Sequence, residues 1–566
     1  MYQIFLPYSY VFVVIILSGL LAFSIVKNGV NSKIVIFQLL LVFFLIRNIF
    51  YLSTKNVIPF GDGYWDFAVE KTFLDQGQIS TIQGIVRPTE AGGISQLTWY
   101  SGWPFLHTFG ISFSSITGLD PIYLNWGLSN FLALISFVFT YLIFEKFRIK
   151  LNLPKEVTVI ALLLYAMAPE AIFWQMQFVR QSFALALLAP IIYLLYILSC
   201  EKFDLKYFWV LGLLILSLVV THHVTAFTLT LFLLLFAFFN SISKKIGLLS
   251  RLSWVYSSVG SKTFLGFGGL TLISMLLWWF RNSDTIIPTL ASRIVLFFEN
   301  LGMERVYSSG LTATYPSVLV PSWVPLLLGF RDVIIYGLAI FGFLILLRNK
   351  SKVPEKFFII YSVVGFGVIL VINVVFRIEP IRIILFMAPF LTFLSSLLIN
   401  RVRQISRVGI KLIVGISLML VIFSSFLGLW GHSFAPIHLY DPSINPAEIG
   451  ESTPDFIRIK AFFEEKINVS GFKDVRADVI GRLVYLLDPE DFDKIKSLPF
   501  ENLAKIDTES TLICSFNDLN LYLYYGYVWS PIDISEAKVI QQELREYLDA
   551  NFNRIYGDES ISIWMS

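Results

Sequence analysis

Residues 34–68 open with IVIFQLLLVFFLIRNIFYL (Ile34–Leu52), pass through a short polar join, and reach Gly61-Asp62-Gly63-Tyr64-Trp65-Asp66-Phe67-Ala68. The apolar run is long enough to cross a bilayer core of about 30 Å. The acidic stretch comes directly after it, inside a loop spanning Pro59–Gln83. Asp62 and Asp66 lie four residues apart, and a helix from Tyr64 onward would put Asp66 and Glu70 on one face. Carboxylates at the mouth of a membrane-embedded cavity are costly to keep dry, so they point to chemistry or to ion binding.

Apolar runs of this kind recur along all 566 residues, of which 56% are hydrophobic and 16% aromatic; the mean hydropathy is +0.72. That excess defines an all-α polytopic membrane protein. About twelve spans are predicted: Tyr8–Val26, Ile34–Leu52, Tyr123–Phe144, Val157–Trp174, Phe183–Leu198, Tyr207–Thr221, Val224–Asn240, Thr263–Phe280, Val333–Leu347, Phe357–Phe376, Ile383–Asn400 and Leu412–Trp430. The first lacks a basic leader and a small-residue cleavage site and reads as a retained helix rather than a signal peptide. A net charge of +3 gives no footprint for nucleic acid. The two cysteines, Cys200 and Cys514, form no disulfide framework.

Basic residues orient the spans. Alternate connections carry about twenty Lys and Arg, among them Lys27, Lys146, Arg148, Lys244, Lys245, Arg348, Arg401 and Arg407. The intervening connections hold few: Arg180 in one, none in Thr221–Thr225, Arg377 and Arg382 in another. The pattern puts the acidic loop and both termini outside. Two outside loops are long, residues 53–122 and 281–332, and both are too apolar to float free in water. They read as short interfacial helices with Trp and Tyr at headgroup depth. After Trp430 the composition turns charged and broken by Pro and Gly. Residues 1–430 are thus read as the membrane domain and 431–566 as a small extracytoplasmic α/β domain. Helices are expected there at Glu451–Lys466 and Ala537–Asn551, and strands at Thr511–Ser515, Leu519–Tyr525 and Ile561–Met565.

This layout resembles the GT-C superfamily of membrane glycosyltransferases, over roughly residues 34–430. The stretch Gly61 to Asp66 sits where that superfamily has its catalytic acidic motif. Trp103-Pro104 and His107 look like the aromatic-Pro-x-x-His segment further along the same loop. Gln177 to Arg180, Thr221-His222-His223 and Arg377-Ile378-Glu379-Pro380-Ile381-Arg382 are similar to features of archaeal and bacterial members. Trp278-Trp279 is followed by Phe280-Arg281 at a membrane edge. It is not the Trp-Trp-Asp motif of oligosaccharyltransferases, so en bloc transfer of an oligosaccharide to Asn is disfavoured. The resemblance implies transfer of a sugar, with inversion, from a polyprenyl- or dolichyl-phosphate carrier to an extracytoplasmic glycan, lipid or protein acceptor.

Such a reaction needs a base for the acceptor hydroxyl and cations for the departing phosphate. Asp62, flanked by glycines, is the first candidate base; Asp66 would orient the acceptor or share a divalent cation, Mg2+ or Mn2+, with Asp62. Equally, Asp62 could simply cap a helix. Arg377 and Arg382 stand out on a side poor in positive charge and suit phosphate, or else snorkel or pair with Glu379. Arg180, Arg281, His107, His222 and His223 are further candidates for phosphate or substrate, the histidines equally for polar helix contacts. Glu170 reads as packing or capping, and Arg47 as reaching the outer interface or pairing with Asp62. A lipid-saccharide flippase and a non-catalytic assembly protein are the competing readings. The first would carry charges at mid-depth in paired broken helices, and the second would leave the carboxylates without a task.

Overall fold

The computed structural model describes residues 8–27, 32–48, 51, 61–79, 101–201, 204–245, 260–281, 323–349, 353–375, 380–405 and 407–427. In the C-terminal part it describes 474–477, 495–497, 511–515, 542, 546–557 and 562–565. Asp62 falls within a described helix, but its side chain lies outside the description, as does all of Arg377. The expected helix Glu451–Lys466 and strand Leu519–Tyr525 lie outside the described residues too.

Every predicted apolar stretch is helical over most of its described length. In chain order the helices are α1 (Tyr8–Val26), α2 (Ser32–Arg47), α3 (Gly61–Gln76), α4 (Phe105–Thr117), α5 (Pro121–Lys150), α6 (Lys155–Ala166), α7 (Pro169–Gln175) and α8 (Arg180–Cys200). There follow α9 (Leu205–Val219), α10 (His223–Lys245), α11 (Gly260–Arg281), α12 (Trp323–Asp332), α13 (Ala339–Arg348), α14 (Pro354–Val375), α15 (Pro380–Arg403) and α16 (Val408–Leu427). Among the described residues eight helices are long and apolar enough to cross a membrane, or nine if the bent pair α6–α7 is one span. Phe12–Val26 and Leu205–Val219 are shorter apolar helices. The expected twelve is therefore larger than the number that length and composition support here.

The predicted span Val157–Trp174 is bent by 60° between α6 and α7. Pro169 at the start of α7 explains the break: it has no N–H to continue the ladder and forces extended backbone on Ala168. Arg47 fastens the bend. Its guanidinium donates to Gln175 Oε1 at 2.9 and 2.5 Å and to the Ala166 carbonyl at 3.1 Å, over the Phe43 ring. Arg47 is thus committed to the inside of the bundle and does not reach out to the interface. Glu170 is a buried packing group on α7 that accepts a hydrogen bond from the Tyr336 hydroxyl. Tyr336 belongs to a π-helical turn, Val333–Gly337, that links α12 to α13, and the Ile335 carbonyl of that turn accepts from Ser395 Oγ at 2.8 Å.

One large apolar core joins most of these helices. Spans α8 and Arg382–Arg403 of α15 are the most enclosed. Each begins with a candidate arginine, so the two central helices aim their positive N-terminal ends at the place where the site is built. Close approach is enforced at Gly342, where a Cβ would stand 1.8 Å from the Leu394 carbonyl oxygen. The C-terminal part contains a mixed five-stranded sheet, β1 (Asp474–Ala477), β2 (Ile495–Ser497), β3 (Thr511–Ser515), β4 (Asn553–Gly557) and β5 (Ser562–Met565), in the order β2-β1-β3-β5-β4. β1 runs parallel to β2 and β3, while β5 is antiparallel to β3 and β4.

Candidate active site

Helix α3 carries the acidic motif and starts at Gly61. Trp65, Phe67, Ala68, Val69 and Phe73 are buried along it, and so are Asp66 and Glu70. The two carboxylates share a face, as their spacing of four dictates. That face meets α4, whose buried stripe is Leu106, His107, Gly110 and Ser114. Gly118, in the left-handed region at φ 69, closes α4, and Asp120 then caps α5 by accepting from the Ile122 amide at 2.9 Å. These caps fix the depth at which His107 enters.

His107 is completely buried and stands between the two carboxylates, Nε2 3.5 Å from Asp66 Oδ1 and Nδ1 3.9 Å from Glu70 Oε1. Glu70 fits only because residue 110 is glycine: a Cβ there would lie 2.6 Å from Glu70 Oε1. Burial, reinforced by the Asp66 charge, pushes the Glu70 carboxyl well above its ordinary range, so it holds its proton. Asp66 is the charged member. Its Oδ1 pairs with Arg180 Nε at 2.8 Å and its Oδ2 accepts from the Arg180 backbone amide at 3.3 Å. One carboxylate therefore closes the N-terminus of α8 and fixes its first side chain. Ser182 completes the turn, accepting from the Val179 amide at 3.0 Å.

The second half of the site forms where α10 and α15 begin. His222 Nε2 lies 3.3 Å from Arg382 Nη1, and His222 Nδ1 lies 2.9 Å from Thr225 Oγ1. Gln181 Nε2 approaches the same threonine hydroxyl at 3.5 Å. The Arg382 guanidinium covers the Trp174 ring at 5.2 Å. His222, His223 and Trp103 are neighbours in a row, with ring centroids 5.1 Å apart at each step. Trp278 at the end of α11 donates to the Gly102 carbonyl at 3.1 Å, and Arg281 lies 5.7 Å from the Trp278 ring. Burial, then the charges of His223, Arg382 and Arg180, hold His222 well below the usual imidazole range. Gln181, next to Arg180, and His222 both approach the Thr225 hydroxyl, so the carboxylate half and the arginine half of the site adjoin there.

Asp66, His107, Arg180, His222, His223 and Arg382 are thus brought together around one region, with Arg281 at its border. Three residues were not among the predicted site residues: Thr225, Gln181 and Trp174. Thr225 and Gln181 lie within one helical turn of His222 and Arg180, which is the only signal their positions carry, and Trp174, six residues before Arg180, carries none. The metal reading fares less well. Both Asp66 oxygens face Arg180, so a dication drawn to Asp66 would share it with a guanidinium. Among the described residues no three His, Cys, Asp or Glu are arranged to hold a metal ion. The described half of the Asp62–Asp66 pair does not fit a metal, and no step below is routed through one.

The bundle of apolar helices with a buried acidic helix in its first long loop has counterparts of similar fold. Among solved structures, ArnT from Cupriavidus metallidurans bound to undecaprenyl phosphate shares it, with a TM-score of 0.50 at 10% identity over 94% of this chain and 98% of that one. The oligosaccharyltransferase of Archaeoglobus fulgidus in complex with Zn and sulfate is also similar, with a TM-score of 0.46 at 12% identity over 88% of this chain and 70% of that one. The sequence matches no protein-family model, and no curated protein matches it. At 10% identity the likeness to ArnT establishes the fold alone.

Proposed function

We propose that this chain is an integral-membrane glycosyltransferase that moves a single sugar from a polyprenyl- or dolichyl-phosphate carrier to an acceptor hydroxyl on the extracytoplasmic face. The observation that carries the reading is the convergence of Asp66, Arg180, His222 and Arg382 at the N-terminal ends of the two most enclosed helices. Guanidinium groups at helix N-termini favour an anion with several oxygens, and a lipid phosphate supplies one at membrane depth. ArnT, which shares the fold, was solved with undecaprenyl phosphate.

In this reading the acceptor oxygen attacks the anomeric carbon while Asp62 takes its proton. The bond from that carbon to the phosphate oxygen breaks, and the phosphate leaves with the electron pair. Arg382 and Arg180 bind the departing phosphate, joined by His222, with Arg377, His223 and Arg281 bordering it. Asp66 is a positioning residue. Its carboxylate is taken up by Arg180, and its service is to hold that guanidinium. Inversion at the anomeric carbon follows from a single displacement. Twelve spans put both termini outside, residues 1–430 form the membrane domain and 431–566 an extracytoplasmic domain that binds the acceptor, covers the cavity or recruits a partner.

The test is transfer from radiolabelled polyprenyl-phosphate sugars in native membranes. Wild type transfers label, and Asp62→Asn loses at least about 100-fold in rate, the typical contribution of a positioned base. Undiminished transfer by the variant removes Asp62 from the reaction, and no transfer by wild type from any such donor removes the function.

A further inference from the structure

We infer that His222 takes up a proton when a phosphate enters beside Arg382, and gives it back when the phosphate leaves. The inference rests on the functional reading above, and specifies how its phosphate site works. The geometry starts from Arg382 Nη1 and His222 Nε2, 3.3 Å apart. A guanidinium can only donate, so the imidazole nitrogen facing it must accept. That places the hydrogen of neutral His222 on Nδ1, where it donates to Thr225 Oγ1 at 2.9 Å. The Thr225 amide, 3.3 Å from Nδ1, is the weaker contact and gives way in this tautomer. Gln181 steadies the same hydroxyl from the other side at 3.5 Å.

The groups acting on the His222 ring are His223 on its own segment, Arg382 at the start of α15 and Arg180 at the start of α8. Among the described residues no carboxylate acts on it. Without an anion the ring is held neutral among cations. A phosphate oxygen is an acceptor only, so it draws the Arg382 N–H away from Nε2 and leaves that nitrogen facing a second acceptor. The contact becomes favourable once Nε2 carries a hydrogen. Nδ1 keeps its own hydrogen on Thr225, so the ring becomes an imidazolium. One proton moves from solvent to Nε2, and the phosphate gains a third charged donor beside the two guanidinium groups. During transfer the phosphate passes from a diester with one negative charge to a monoester with nearly two, so the added positive charge arrives with the leaving group's second negative charge.

Binding of a phosphate monoester should then weaken as pH rises through the bound-state titration of His222, by up to about tenfold per pH unit. The experiment is calorimetric titration of the full chain in detergent with a short-chain polyprenyl phosphate, at about pH 7.5, where the monoester is mostly dianionic. Two buffers of different ionisation enthalpy report the protons exchanged. Wild type is expected to take up between about one half and one proton per phosphate bound, and His222→Gln to bind more weakly with no uptake. Nitrogen NMR of histidine-labelled wild type gives an answer that does not depend on the variant folding. Among its five histidines, one should pass from the Nδ1–H neutral pattern to the doubly protonated pattern on adding the phosphate. Binding without proton uptake, or a mere exchange of tautomer, overturns the inference while leaving the phosphate site standing. Absence of binding by wild type in either buffer overturns the functional reading itself.

Discussion

Replacing Asp66 by Asn should destabilise the protein, and a second change at Arg180 should give much of the loss back. The Asp66 and Arg180 side chains are only 2% and 9% exposed, and their contact is 2.8 Å. Asn keeps the shape and an acceptor oxygen for the Arg180 amide, so that hydrogen bond, about 0.5–1.5 kcal/mol, largely survives. The charge does not. Removing one member of a buried ion pair costs about 3–5 kcal/mol. Arg180→Gln should cost a similar amount for the converse reason. The double variant removes both charges, so its loss should fall short of the sum of the singles by at least about 2 kcal/mol. Among the described residues Glu70 is the other carboxylate beside His107; with Asp66 neutralised it can ionise in its place, so the cycle is best run in a Glu70→Gln background. The assay is reversible unfolding in lipid-supplemented detergent, with all four proteins at matched concentration. If the losses of the single variants simply add, the two groups are not coupled, and Asp66 cannot be the residue that positions Arg180.

Gly110→Ala sets a methyl group 2.6 Å from the buried Glu70 carboxyl. It should cost about 1–3 kcal/mol and lower transfer, read from unfolding and from the labelled-sugar assay. Gly342→Ala meets backbone at 1.8 Å, with no side chain to move aside; we expect it to lower the yield of folded protein sharply, measured by monodispersity after extraction. Trp278→Phe deletes the hydrogen bond to Gly102 and should cost about 0.5–1.5 kcal/mol. Glu70 keeps its proton when folded and ionises more readily when unfolded. The unfolded chain therefore binds fewer protons above the ordinary carboxylate range, and stability should fall as pH rises from there toward the raised folded value. Glu70→Gln should flatten that slope in an unfolding-versus-pH series. Chelation by EDTA should leave transfer unchanged if Asp66 belongs to Arg180 and not to a metal, whereas loss of activity restored by Mg2+ or Mn2+ would reassign the pair.

What the sequence revealed and what it hid follow from the range of each interaction. The helices are a local matter: apolar runs of bilayer length must satisfy their own backbone, so α8, α10, α14 and α15 could be placed from composition alone. The face shared by Asp66 and Glu70 was legible for the same reason, since four residues make one helical turn. The bend between α6 and α7 was not, because Pro169 in an apolar run permits either a kink or a cap, and Arg47, 119 residues from Ala166, settles it. The role of Asp66 was hidden in the same way. As a sequence feature it is one of a catalytic-looking pair, and only the 114-residue contact to the Arg180 amide turns it into the fastening of another helix. The arginine-poor outer side made Arg382 conspicuous, but nothing local distinguished Arg180 from a snorkelling residue. Its assignment depends on α3 and α8 being neighbours. The site is thus a set of helix ends, each readable by itself, whose chemistry comes into being only where those ends meet. A substitution that shifts α8 along its axis by a fraction of a turn should therefore disable transfer without touching any group named for it.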